Sequence, residues 1–229
     1  MKVSVIIPAA GTGYRANNDI PKQFLEIDGV PIIINTINLF NDIDEVESII
    51  IPVHIDYLSH LKDLIDKYKC SKVKEITLGG HTRQDSVCLG LNAPAIKKSD
   101  IVLIHDAVRP FTSQTLIHKL INAADDTGAA IPIIKASDSL KEIDNNGNVI
   151  KTLDRECIGL VQTPEAFWTS IAIESFNKAS AMGYNGMDSS SVVEFAGYKV
   201  NYIEGETNNI KITFPIDIDI AKIIKTQYK

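Results

Sequence analysis

Cysteine is scarce in this chain: Cys70, Cys88 and Cys157 are the only three in 229 residues, far apart and without a Cys-x-x-Cys spacing. That excludes a disulfide framework and a cysteine-built zinc site, and it predicts three buried or half-buried thiols in a reducing compartment. Arginine is limited to Arg15, Arg83, Arg109 and Arg155, no run of Lys and Arg occurs, and the net charge is −6. An acidic chain with dispersed cations does not wrap nucleic acid, whose binding rests on neutralised phosphates. No apolar run approaches the ~20 residues of a membrane span. The first residues enter a strand-like run without a signal-peptide pattern, so the expected location is the cytoplasm.

With 45% hydrophobic and 23% charged residues, the composition is that of an ordinary globular protein. The chain is long enough for a substantial core, and we read 1–229 as a single domain. Strand-like runs at Val3–Ile7, Val46–Pro52, Val73–Leu78, Ile101–His105, Ala129–Ile134 and Val200–Ile203 alternate with helix-like segments. The latter are Pro31–Phe40, Tyr57–Tyr68, Ser86–Ala93, Thr115–Asp126, Glu165–Met182, Ser189–Ala196 and Pro215–Thr226. This order predicts an α/β fold, Rossmann-like, with a mainly parallel sheet and helices on both faces. Ligands then bind outside the carboxyl ends of the strands.

Ser139–Leu153 breaks the alternation: two short alternating runs flank Asn145-Asn146-Gly147-Asn148. Asn-Gly in that setting predicts a hairpin. Residues 138–155 are therefore expected to form a protruding β-arm. A two-stranded ribbon is marginal unless it packs on something, which points to a homodimer through the arm, or else to an arm folded back on its own domain.

The loops that follow strands carry the chemistry. Ala9-Ala10-Gly11-Thr12-Gly13 is a run of small side chains whose backbone N–H groups can approach an anion closely. Arg15 and Lys22 follow, seven residues apart. The dinucleotide fingerprint needs a third Gly where Ala16 stands, and the Walker Gly-Lys-Ser/Thr is missing there. What remains is a polyphosphate loop in which side-chain cations grip the ligand, as a transfer reaction requires. Gly79–Arg83 and Asp106–Pro110 occupy equivalent positions after later strands. His54, His60 and His118 lack ligand spacing and are expected at the surface; Phe167 and Trp168 are expected in the core.

Seven motifs then appear in order: Ala9–Arg15, Pro21-Lys22-Gln23-Phe24, Gly79-Gly80, Arg83-Gln84-Asp85-Ser86-Val87, His105–Pro110, Gln162-Thr163-Pro164 and Asn209–Thr213. Together they resemble the 2-C-methyl-D-erythritol 4-phosphate cytidylyltransferases of non-mevalonate isoprenoid synthesis, over Val3 to about Lys222. Cytidylyltransferases acting on ribitol 5-phosphate share most of them. The resemblance implies a nucleotidyltransferase-type fold and transfer of CMP from CTP to a polyol phosphate, with release of pyrophosphate and with Mg2+ as cofactor. It implies that Arg15 and Lys22 stabilise the α-phosphate and the leaving group. Gly80, His81 and Ser86 would form the cytosine pocket, although Ser86 would serve equally as a helix cap. Asp106 and Arg109 would face the alcohol, or else stiffen their loop as a pair; Asp106 is also a candidate Mg2+ ligand. Arg155, Thr163 and Lys211, with Ser139, would hold the substrate phosphate. Ala16, Glu165 and Met187-Asp188-Ser189-Ser190 depart from the family's pattern, and the last of these bears on the choice of polyol more than on the reaction. A silent nucleotide-binding subunit would have lost Arg15, Lys22, Arg155 or Lys211. A nicotinamide oxidoreductase would need an acidic residue at the end of the second long strand, where Pro52-Val53-His54 stands.

Overall fold

The computed structural model describes residues 1–11 and 20–227. Arg15, Thr12 and Gly13 of the proposed phosphate loop therefore lie outside the described residues. The chain runs β1 (Val3–Ile6), β2 (Glu26–Ile27), β3 (Val30–Pro31), α1 (Ile32–Asn41), β4 (Val46–Val53), α2 (Leu58–Tyr68), β5 (Val73–Leu78), α3 (Arg83–Leu91) and β6 (Ile101–Ile104). It continues through α4 (Gln114–Thr127), β7 (Ala129–Lys135), β8 (Lys141–Ile143), β9 (Val149–Thr152), β10 (Gly159–Val161) and β11 (Glu165–Trp168). The last elements are α5 (Thr169–Met182), α6 (Ser189–Ala196), β12 (Asn201–Glu204) and α7 (Ile216–Gln227).

Eight strands make the central sheet. β5, β4, β1 and β6 pair in parallel in that order. β11 runs antiparallel between β6 and β7, β10 extends the antiparallel pairing along β7, and β12 pairs parallel with β7. The mainly parallel sheet is thus as expected, and its antiparallel insert was not. Because β11 runs against β6, its first residue Glu165 pairs with Ile104 at the carboxyl end of β6. That reversal brings a mid-chain carboxylate to the ligand edge.

Alternation along the strands divides the core. Val3, Val5, Ile49, Ile51, Ile101 and Leu103 face α1, α2 and α4, with Phe40, Leu61 and Leu120 among their partners. Ile6, Ile50, Val102, Ile104 and Phe167 face α3, α5 and α6, meeting Val87, Phe176 and Val192. Strands covered on both sides read as continuous apolar runs, as β1 and β6 do. Glu165–Trp168 is a strand rather than the first turn of a helix; Phe167 is buried, but Trp168, the last residue of β11, is 42% exposed. Cys157 is exposed, against the expectation of three sheltered thiols, whereas Cys70 is buried and Cys88 half-buried.

The arm exists and is short. β8 and β9 are exposed along their whole length. Asp144 accepts from the N–H groups of Asn146 and Asn148, and Gly147 takes φ +86°, the left-handed region that glycine enters without a Cβ clash.

Phe40 is fully buried and meets the His105 ring edge-on at 5.1 Å between centroids, so it links α1 to the strand end that carries the cleft. Phe40→Ala should lower unfolding stability by about 3–5 kcal/mol, as read by urea titration.

Candidate active site

A cleft of about 660 Å³ opens at the carboxyl edge of the parallel strands. Its walls come from the loops after β1, β5 and β6 and from the extended segment before α7. They include Ala9, Ala10, Gly11, Lys22, Gly80, His81, Ser86, Asp106 and Lys211 of the expected site.

The glycines are needed for contact. A Cβ on Gly79 would fall inside the van der Waals shell of the Ala10 Cβ, and one on Gly80 would do the same to Asp85. The β1 and β5 loops can touch only because both are small there. Thr82 caps α3 in a reciprocal capping box with Asp85. Ser86 Oγ accepts from the Gly80 N–H at 3.1 Å and donates to the Thr82 carbonyl at 3.0 Å. Ser86 therefore fixes the loop from beneath while lining the cleft, and the helix cap expected of it falls to Thr82 instead.

Lys22 is placed by its neighbour. Buried Gln23 donates from one amide nitrogen to the carbonyls of Ala9 (2.7 Å) and Gly11 (2.9 Å), which stitches the Lys22–Phe24 turn to the β1 loop. Phe24 stacks on Tyr57 at 5.1 Å, closing the outer side.

Asp106 is the electrostatic centre. It is 7% exposed. Arg83 Nε lies 3.2 Å from Oδ1; Arg109 Nε and Lys211 Nζ lie 3.4 and 2.9 Å from Oδ2. Burial by itself would raise the Asp106 pKa, but the charges of Arg83, Lys211 and Arg109 outweigh it and hold the carboxyl well below its ordinary range. Lys211 lies in no strand, yet its side chain still opposes buried Ile212, whose N–H donates to the Val108 carbonyl.

Behind Asp106 runs a directed hydrogen-bond chain. The Asp106 N–H donates to Thr163 Oγ1 at 3.0 Å, Thr163 Oγ1 lies 3.0 Å from His105 Nδ1, and His105 Nε2 lies 2.9 Å from the Arg109 carbonyl. A carbonyl can only accept, so Nε2 carries a proton; burial lowers the ring's pKa to about 4, so at neutral pH Nδ1 carries none and accepts from Thr163. The ring is therefore neutral. Arg109 donates from Nη1 to the Asn209 carbonyl at 2.7 Å, and Asn209 in turn donates to the Thr163 carbonyl.

Several expected site residues lie elsewhere. Thr163 and Arg109 are buried next to Asp106, where Arg109 makes the loop pair with it and Thr163 accepts from its N–H; neither lines the cavity. Ser139 and Arg155 sit on the exposed base of the arm, where Arg155 Nη1 donates to the Ser137 carbonyl and Nε pairs with Glu156. This chain does not bring them to its own cleft. The metal expectation for Asp106 does not fit either. Both its oxygens face cations, and no cluster of His, Cys, Asp and Glu suited to a metal exists among the described residues.

Arg83 and Glu165 were missed. Arg83 follows a small-residue loop at a strand end, the same signal that marked Arg15 and Arg109. Glu165 was marked only as a departure from the family's pattern and given no site role, because a carboxylate opening an apolar strand reads as a helix start. It is fully buried and accepts from the N–H groups of Ser189 (3.3 Å) and Ser190 (2.8 Å) and from Arg83 Nη2 (3.3 Å).

The sequence model of the IspD family, 2-C-methyl-D-erythritol 4-phosphate cytidylyltransferase, matches residues 3–227. The cytidylyltransferase of that name from Geobacillus kaustophilus is 41% identical over 224 residues, spanning 98% of this chain and 97% of its own. Its counterpart from Syntrophus aciditrophicus is 39% identical over 222 residues, spanning 96% and 94%. The crystal structure of 4-diphosphocytidyl-2C-methyl-D-erythritol synthase from Anaerococcus prevotii superposes with a TM-score of 0.84 at 33% identity, covering 98% of both chains.

Burial holds the His105 pKa down, from 6.5 to about 4. The unfolded chain takes up a proton in that window that the folded ring refuses, so the contribution is fully present above about pH 6.5 and is lost as pH falls to about 4. Wild type should lose about 3 kcal/mol more stability than His105→Gln between about pH 7 and pH 4, with the ring's NMR titration midpoint near the lower value.

Proposed function

We propose, since this chain belongs to the 2-C-methyl-D-erythritol 4-phosphate cytidylyltransferase family, that its cleft holds CTP against the β1 and β5 loops and the polyol phosphate beside Asp106. The protein is a nucleotidyltransferase that moves CMP from CTP to 2-C-methyl-D-erythritol 4-phosphate, forming the CDP-alcohol and pyrophosphate. The relatives carry the erythritol name, which favours that acceptor over ribitol 5-phosphate. The carrying observation is the convergence of Lys22, Arg83, Lys211 and Asp106 on one cleft in an acidic chain.

The nucleophile is a phosphate monoester with a second pKa near ~6, ionised at neutral pH. It needs no general base. The obstacle is repulsion between two polyanions and charge growing on the α-phosphate and leaving group, and fixed cations answer both. Lys22, with Arg15, stabilises that charge; Lys211 receives the acceptor phosphate; Asp106 accepts hydrogen bonds from the polyol. The Gly80-His81 backbone and Ser86 read the cytosine edge, where an amino donor replaces the acceptor of uracil. CTP enters as its Mg2+ complex, the ion held by phosphate oxygens and water.

The exposed arm carries Ile143, Val149 and Ile150 at 58–68% exposure, apolar surface that a second copy covers in a homodimer. Ser139 and Arg155 then act at the partner's cleft rather than at their own. The reaction setting is the cytoplasm.

With CTP, Mg2+ and 2-C-methyl-D-erythritol 4-phosphate, pyrophosphate release should be rapid, and slower with ribitol 5-phosphate. Lys22→Ala should cut turnover ~100-fold or more, about 3–4 kcal/mol of barrier; full turnover in that variant removes its role. In sedimentation at micromolar concentration the protein should run at twice the 25.2 kDa chain mass; a monomer contradicts the arm-mediated dimer.

A further inference from the structure

Arg83 stands at the first turn of α3 with its guanidinium spread over three separate elements. Nε donates to Asp106 Oδ1 at 3.2 Å in the loop after β6, Nη1 to Ser189 Oγ at 3.0 Å at the start of α6, and Nη2 to Glu165 Oε2 at 3.3 Å at the start of β11. A lysine has no planar fork to meet three partners at once. In a cleft meant for polyphosphate, a mobile arginine would be drawn onto the ligand. Here all three nitrogens are already committed to the wall that holds Asp106.

Glu165 is what commits it. The carboxylate is fully buried, and each of its partners is a donor: the N–H groups of Ser189 and Ser190 and the Arg83 guanidinium. Burial pushes its pKa up, while the donor set suits only the ionised form. It also sits at the N-terminus of α6 beside the N-cap Asp188, so two carboxylates meet one helix end and Arg83 is the cation paired with the buried one.

We propose that Arg83, anchored by Glu165, is a positioning residue of the transfer reaction: it orients Asp106 toward the acceptor alcohol and keeps its own charge off the nucleotide. This deepens the functional reading above and rests on it. The effect of Arg83 passes through Asp106, so it belongs to the acceptor side of the cleft. Glu165 is an internal counter-charge whose loss matters through Arg83.

The test is steady-state pyrophosphate release by the full-length protein, varying CTP and 2-C-methyl-D-erythritol 4-phosphate separately, alongside thermal unfolding. Arg83→Gln should raise KM for the polyol phosphate tenfold or more and leave KM for CTP within twofold. It should also lower the melting temperature, because Glu165 is left buried and unpaired. The double variant Arg83→Gln with Glu165→Gln replaces the ion pair by an amide pair. It should regain most of the melting temperature while keeping the raised polyol KM, and it supplies the kinetic answer if the single variant does not fold. Arg83→Lys should fall between wild type and Arg83→Gln in polyol KM. Recovery of the polyol KM together with stability in the double variant would reduce Arg83 to a structural strut and overturn the proposal. A selective rise in KM for CTP would overturn it as well, by making Arg83 a nucleotide ligand. An inactive wild type would sink the functional reading and this one with it, whereas an active wild type with either adverse pattern sinks only the role of Arg83.

Discussion

One carboxylate among three cations organises the cleft. Asp106 is almost wholly removed from water, a position that would cost several kcal/mol if its charge were unpaired. Arg83, Arg109 and Lys211 offset that cost, and each comes from a different stretch of the chain. The carboxylate thus draws α3, the β6 loop and the segment before α7 to one point. In a chain of net charge −6, that clustering is what makes a polyanion site possible.

The cluster stands on a buried polar layer. Neutral His105, Thr163 and Asn209 satisfy one another's donors and acceptors and fix the backbone that bears Asp106 and Arg109. Such a layer suits the interior only when complete, because a single missing partner leaves a desolvated polar group. On the opposite wall, Gln23 performs the same task for the small-residue loop and Lys22. These hydrogen bonds brace both walls, and braced walls favour fixed charges that stabilise a transition state without reorganising.

Much of this could be read from the residues. Apolar β-branched runs such as Val3–Ile7 and Ile101–His105 announce strands buried on both faces, and small-residue loops after them announce the ligand edge. Ser189–Ala196 matches α6 residue for residue because Asp188 caps it and Gly197 ends it. Glu165–Trp168 was misread because four residues carry too little periodicity to separate a strand from a helix start, and its reversed direction is a tertiary fact. The fan of Arg83 was hidden for the same reason: its three partners lie 23, 82 and 106 residues away. The hydrogen bonds by which Thr163 joins Asp106 to His105 were not legible, since burial behind a loop leaves no trace in spacing. Ser139 and Arg155 sit at the base of an exposed arm, and this chain does not bring them to its own cleft.

The account turns on where two anionic reactants sit relative to these charges, so a crystal structure with CTP and the polyol phosphate tests it most directly. It predicts the triphosphate against Ala9–Gly11 and Lys22, cytosine beside Gly80 and Ser86, and the acceptor's phosphate on Lys211 with its hydroxyls on Asp106. A nucleotide bound away from the β1 and β5 loops, or an acceptor that leaves Asp106 and Lys211 untouched, would contradict it.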